Sequence, residues 1–257
     1  PVTEAITGLD LVELQIRAAT SLPLGVAQDS VAFAGHAIEV RINAEDVTND
    51  FAPQIGQVTV LDVPDSVRWD AAIELGSTIT PHYDPMIAKL IVHAATREAA
   101  IARLRDGLDR LLIGGIVTNG GFHRWLIDRP EFRTGRITTR FLDETELPAD
   151  NGVLEAAAFA AHRRPGSGPW GAGDRRFTPH RPSRTVAMRD LHGNVHEVEP
   201  VPGTAVDGVV NVRGQSHTFT RLSRSEHWAP ASAGSHGAAN AVVAPVSYTH
   251  LTLPTTG

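Results

Sequence analysis

Glu39 and Arg41 stand two residues apart in His36-Ala-Ile-Glu-Val-Arg-Ile42. Ile38, Val40 and Ile42 alternate with Ala37, Glu39 and Arg41, the two-residue period of a strand. On such a strand the carboxylate and the guanidinium share one face, about 7 Å apart. A carboxylate beside a guanidinium can hold the planar fork in one orientation. A fork held that way suits a planar oxyanion such as bicarbonate, a carboxylate or an enolate. The other reading of a strand arginine is a solvated or merely ion-paired side chain. A second stretch, Pro81-His-Tyr-Asp-Pro-Met-Ile-Ala-Lys-Leu90, accompanies the first. It holds Lys89, the only lysine in an arginine-rich chain. Lys89 opens a strand and is assigned to the fold, without a chemical role.

Other kinds of site find little support. The twelve histidines are scattered. His192 and His196 are four apart, but Gly193-Asn194 makes a hairpin between them, so they share no helix face. Cysteine is absent, which excludes disulfides, a thiol nucleophile and thiolate metal ligation. No glycine-rich dinucleotide fingerprint, nucleophile elbow or phosphate-loop lysine occurs. The formal charge of −6 argues against a general binder of nucleic acid or anionic membranes. The Arg163–Arg184 cluster lacks stacking aromatics on an expected sheet, which leaves little basis for RNA binding. No apolar run approaches the roughly 18 residues of a membrane span. No secretory signal opens the chain, so a cytoplasmic protein is expected.

The elements that would position these residues follow from periodicity and punctuation. At 257 residues and 42% hydrophobic content, the chain can bury one large core or two small ones. Asp10 caps a helix running to about Thr20, and Pro23 ends it. A short strand near Val31–Ala34 leads into the Glu39/Arg41 strand. Asn43–Pro53 reads as a loop. Gln57–Val63 and Val67–Ile73 read as strands joined by a Pro-Asp-Ser turn. Ala88–His93 is a further strand. Thr96 caps the clearest helix, with Ile101, Leu104, Leu108 and Leu111 on one face and Gly114-Gly115 as its stop. Asn119 caps a shorter helix containing Phe122 and Trp125. Phe132–Gly135 and Ile137–Leu142 complete a largely antiparallel sheet with helices to one side, an α+β arrangement. Beyond a linker at Glu144–Asn151, a helix is expected near Gly152–Ala161. Strands are expected at Thr185–Asp190, Val195–Pro200, Ala205–Val212 and His217–Leu222.

The phrase Gly35-His-Ala-Ile-Glu-Val-Arg-Ile-Asn-Ala-Glu-Asp46 closely resembles the signature that opens the C-terminal part of biotin carboxylase, the ATP-using component of biotin-dependent carboxylases. Pro1-Val-Thr-Glu4 resembles the end of that family's ATP-grasp domain, and Thr7–Val12 the helix after it. His82–Leu90 is similar to the version in acyl-CoA carboxylases, above all those acting on methylcrotonyl-, propionyl- and acetyl-CoA. The resemblance spans about residues 1–145. It implies that Arg41 faces bicarbonate and the ureido oxygen of biotin, with Glu39 orienting it and Glu45 or Asp46 assisting. It implies that Thr139 lies in the vicinity of adenine, unless it is simply a strand threonine. Arg68 and Asp84 match positions near the dimer interface, although Arg68 could instead form an ordinary cross-strand ion pair. The implied cofactors are ATP, Mg2+ and biotin. The implied partners are a biotin carboxyl carrier domain, a carboxyltransferase β subunit and a second copy, with no nucleic acid and no membrane. The family's metal-binding carboxylates, second catalytic arginine and glutamate base would all precede Pro1. No metal site is expected here, and the chain alone is expected to be inactive.

The expected layout follows. Residues 1–33 are the end of the ATP-grasp region and a connecting helix. Residues 34–145 are the biotin carboxylase C-terminal domain. Residues 146–229 are a small helix-plus-antiparallel-β domain that resembles the region docking α on β subunits, with an Arg/Pro/Gly-rich loop at 163–184. Residues 230–245 are a linker and the start of a carrier-like domain, in Val242-Val-Ala-Pro245. With no lysine after Lys89, this polypeptide could not carry biotin itself. Residues 246–257 resemble a translated sequencing-adapter tail. The readings left open are a non-catalytic scaffold with the same fold, or the same region of a urea or pyruvate carboxylase.

Overall fold

The computed structural model describes residues 1–147, 152–162, 185–203, 205–223 and 226. The expected loop at 163–184, the 230–245 linker and the 246–257 tail lie outside the described residues. In chain order the elements are α1 (Val2–Thr7), α2 (Leu11–Ala19), β1 (His36–Asn43), β2 (Glu45–Asp46), β3 (Ala52–Pro53), β4 (Gly56–Gln57), β5 (Val60–Asp62) and β6 (Arg68–Ala71). There follow β7 (Thr78–Ile79), β8 (Met86–Ala94), α3 (Arg97–Arg110), β9 (Leu112–Gly114), α4 (Gly120–Leu126), α5 (Pro130–Arg133) and α6 (Val153–Ala160). The last four are β10 (Val186–Asp190), β11 (Val195–Val198), β12 (Val209–Val212) and β13 (Gln215–Arg221).

The alternation read in β1 is realised. Ile38, Val40 and Ile42 are buried, and between them Glu39 is half-buried and Arg41 exposed. β1 pairs antiparallel with β8, so the two motif stretches lie side by side, and β6 pairs with the other edge of β8 in the order β1-β8-β6. As the central strand, β8 is buried along most of its length. Its Ala88, Leu90 and Val92 join Ile38, Val40 and Ile42 against Ala100, Ile101, Leu104 and Leu108 of α3. Thr96 caps α3 as expected, its Oγ1 accepting from the Ala99 N–H at 3.2 Å. α1 lies against β1 and β8. Arg68 pins it there by pairing with Glu4 at 3.0 Å while also holding Asp70, its neighbour on β6, at 2.8 Å.

α3 stops earlier than glycine placement suggested. Leu111 is extended, and Leu112–Gly114 forms β9, pairing with β5. Pairing with a strand elsewhere in the chain outweighs three further helical residues. The expected strands at 57–63 and 67–73 are shorter and part company. β5 joins β9 and β6 joins β8, so the turn between them connects two sheets. No strand forms at 31–34. The Ala34 N–H is taken by the Ile6 carbonyl and its oxygen by His93, which leaves no ladder. Asn43–Pro53 is more than a loop, since β2 and β3 pair within it. Residues 132 and 133 lie in α5, and 137–142 form turns rather than a strand.

The second unit has its expected helix and four strands, α6 packing on an antiparallel sheet ordered β11-β10-β13-β12, but the strand expected at 205–212 begins only at Val209, after a turn at 207 and 208, and β13 begins at Gln215. Arg213 and Gly214, both at positive φ (50° and 79°), make the two-residue turn between β12 and β13. Backbone of this twist matches the twist of the flanking strands. The sheet is joined to the first unit. β9 offers the N–H groups of Ile113 and Gly115 on the edge that β5 leaves free. Ser216 Oγ and Thr218 Oγ1 of β13 accept them, each at 3.1 Å. Asn211 Nδ2 donates to the carbonyls of Leu108 and Leu111 at 2.9 and 2.6 Å, covering the C-terminal end of α3. The approach is close enough that a Cβ at Gly114 would stand 2.5 Å from Val209 Cγ2.

Candidate functional site

Arg41 stands on the exposed face near the end of β1, just before a register shift between Ile42 and Asn43. The backbone there is held from outside the sheet by the first turn of α4. Asn119 Nδ2 donates to the Arg41 carbonyl at 3.1 Å, and Asn119 Oδ1 accepts the Asn43 N–H at 3.0 Å. The Asn119 N–H adds a bond to the Asn43 carbonyl at 3.1 Å. The buried side-chain amide therefore takes the place of a strand on the edge of β1 that β8 leaves unpaired. His123, one turn further along, places Nε2 2.8 Å from the Arg41 carbonyl, and toward that oxygen it can only donate. Burial pushes the pKa of His123 down, and the bond to Arg41 opposes this in part. Sequence reasoning took Asn119 for a helix cap, but it makes no side-chain cap bond. No local signal marks Asn119 or His123 as supports of a strand some eighty residues away.

The Arg41 guanidinium has no ion pair or side-chain hydrogen bond among the described residues. The acids expected to orient it are otherwise placed. Glu39 shares its face but forms no ion pair with it. Glu45 accepts from Asn43 Nδ2 at 3.2 Å. Asp46 accepts from the Thr48 N–H and hydroxyl at 3.0 and 2.7 Å. The Glu45 carboxyl is shifted above its ordinary range, first by burial and then by the nearby Asp84 charge, with the Asn43 bond opposing. Asp84 itself caps its loop, accepting from the Met86 N–H at 2.8 Å.

The remaining expected residues are spread over the surface. Arg68 is engaged within the chain and its protonated form is strongly favoured, chiefly by hydrogen bonds to Asp70 and Glu4. Asp70 is held below the usual carboxylate range, first by its hydrogen bond from Arg68. Its pairing with Arg68 runs along β6, not across strands. Thr139 lies exposed in a turn. A cavity of about 610 Å³ beside it is lined by Arg129, Arg136, Thr138 and Phe141 among others, and Thr139 is not part of the lining. His192 and His196 do lie around a hairpin, and His196 pairs with Asp190 at 2.8 Å. No group of three or more His, Asp or Glu among the described residues could hold a metal ion. No helix among them is long and apolar enough to cross a membrane.

Apart from the start of β1, the three-stranded antiparallel sheet backed by α3 lies within residues 39–144, which match the family model of the biotin carboxylase C-terminal domain. The mixed helices and antiparallel sheets have the fold of that domain. Among curated proteins it is 44% identical over 146 residues to the biotin carboxylase of Haemophilus influenzae, covering 56% of this chain and 32% of that protein. It is 42% identical over 165 residues to the mitochondrial methylcrotonoyl-CoA carboxylase subunit alpha of Arabidopsis thaliana, covering 62% and 22%. Among solved structures it is similar to the biotin carboxylase domain dimer of the Hydrogenobacter thermophilus 2-oxoglutarate carboxylase, in complex with MgADP, ADP and bicarbonate. There the identity is 43%, the TM-score 0.54 and the coverage 56% of this chain and 32% of that one. The chain thus spans about a third of the biotin carboxylases it matches, and less of the larger subunit.

Proposed function

We propose that this chain is part of an ATP- and bicarbonate-dependent biotin carboxylase, which carboxylates biotin on a carrier domain within an acyl-CoA carboxylase. The observation that carries the reading is the unpaired Arg41 guanidinium on a strand whose backbone is pinned by Asn119 and His123. An uncompensated guanidinium on a backbone held this way suits bicarbonate and the negative charge that grows on the ureido oxygen as biotin N1 loses its proton. Glu39, on the same face, tunes that fork through space. The residues fit the anion but not the metal, since no acidic cluster for Mg2+ exists among those described. Mg2+ and the phosphates of ATP are held by another part of the enzyme, and the chain alone does not hydrolyse ATP. α2 supports a neighbouring body: none of its residues is buried, and Val12 and Ile16 are each 59% exposed.

The carboxylase part forms a homodimer in this reading, with the exposed Arg68 and Asp84 at or near the contact and Thr139 in the vicinity of adenine. The α6/β10–β13 unit serves as the linking domain toward a carboxyltransferase β subunit. The acceptor belongs to the acyl-CoA class, for which the likeness to a methylcrotonoyl-CoA carboxylase subunit is the support. The test is Arg41→Ala in the full-length parent enzyme. Biotin-dependent ATP turnover is expected to fall by two orders of magnitude or more, the size seen when a fixed oxyanion donor is removed, worth about 2.7–4 kcal/mol. Unchanged turnover would overturn the assignment.

A further inference from the structure

Arg41 has a neighbour that the sequence left without a role. In the antiparallel register Arg41 lies directly opposite Lys89 of β8, and Lys89 lies opposite Asp70 of β6. Directly opposed residues carry their Cβ atoms about 4.5–5.5 Å apart on one face, and like charges so placed destabilise the pair. Among the described residues no ion pair relieves this one. Neither Arg41 nor Lys89 has an ion pair or side-chain hydrogen bond among the described residues. Asp70, the nearest acid in the row, is committed to Arg68 through both carboxylate oxygens, at 2.9 and 2.8 Å. Its carboxylate senses the Lys89 charge only at longer range. Glu39 and Arg68 belong to the adjacent row, either side of the apolar Ile91. Lys89 is half-buried on the central strand, a placement in which a lysine packs its stem and keeps its ammonium toward water.

We propose that Lys89 is the second cation of the Arg41 site, the two forming a seat for a small planar oxyanion of the bicarbonate class. This deepens the reading of Arg41 and rests on it. The division of labour follows from the two side chains: the guanidinium offers a flat fork to two oxygens, and the ammonium offers a compact charge to the third. The anion supplies the charge that the sheet lacks between two opposed cations.

Because Lys89 is the only lysine, lysine-selective ¹³C labelling of the whole chain yields one side-chain signal, and the Arg41 Nε–H supplies a second reporter. Bicarbonate is titrated at constant ionic strength set with chloride. The expected result is a saturable shift of both signals with one affinity, absent with chloride alone. Lys89→Met, read at Arg41, should weaken binding at least about tenfold, or 1.4 kcal/mol, whereas Lys89→Arg, which keeps the charge, should weaken it much less. Movement of the Arg41 signal alone, with Lys89→Met binding as tightly as wild type, overturns the role of Lys89 and leaves Arg41 standing. Inorganic phosphate binding as tightly as bicarbonate overturns the planar assignment. Silence of both signals overturns the seat, whereas Arg41 itself is judged separately by turnover of the Arg41→Ala parent.

Discussion

Replacing Asn119 by alanine tests whether the α4 turn holds the Arg41 strand. In the wild type this one buried amide satisfies the Asn43 N–H through Oδ1 and shares the Arg41 carbonyl with His123. Alanine leaves the Asn43 N–H, on a half-buried residue, without its partner. An unsatisfied buried backbone donor costs about 1–3 kcal/mol. The Arg41 carbonyl keeps its His123 bond, so its share is no more than the net value of a hydrogen bond, about 0.5–1.5 kcal/mol. A total near 2–3 kcal/mol is expected, read as a lowered urea midpoint with unchanged slope. The local reporter is sharper. Amide exchange at Asn43 should accelerate in Asn119→Ala far more than exchange at Leu90 or Leu104, whose surroundings are untouched. Asn119→Asp should be at least as damaging at neutral pH, because a carboxylate oxygen would then face the Arg41 carbonyl in place of a donor. Asn119→Ala within about 0.5 kcal/mol of wild type, with Asn43 exchange unchanged, would refute the reasoning.

Three further outcomes can be measured. His123 is half-buried, and its desolvation holds the pKa below the unfolded value of about 6.5. The unfolded chain therefore binds more protons than the folded one as pH falls through that value, so stability is full above it and declines below it. Urea midpoints at pH 7.5 and 5.5 should show the decline, and His123→Gln should remove this part of it. Gly114→Ala would place a Cβ 2.5 Å from Val209 Cγ2. A loss of about 1–3 kcal/mol is expected, with partial rescue by Val209→Ala in a double-mutant cycle. In the full-length parent, Arg41→Ala should lose biotin-dependent ATP turnover while its thermal midpoint stays close to wild type, since the side chain is exposed and unpaired.

The elements that were legible are those whose signals are local. Asp10 and Thr96 accept from the N–H groups of Glu13 and Ala99, as capping residues three positions upstream should. The alternation of Ile38, Val40 and Ile42 sorted the faces of β1 correctly. The strands of the second unit fell beside their predicted turns, with Gly193 and the Arg213-Gly214 pair at positive φ. The readings that failed concern partners. Leu112–Gly114 carries a helix-compatible pattern and becomes a strand because β5 on one side and β13 on the other take its backbone groups. Asn119 has the spacing of a cap, yet its amide meets stronger partners on the unpaired edge of β1.

Read alone, the order of residues determined the longer helices and strands, which face of β1 would be wet, and that an arginine would stand on it. Those properties depend on neighbours two to four positions away, where side-chain period and capping act. The tertiary structure alone decided that Lys89 stands across from Arg41, that Arg68 also reaches Glu4, and that Asn119 and His123 brace the strand. Each of these is set by strand register and by the docking of α1 and α4, which bring together residues 48 to 82 positions apart and leave no trace in local spacing.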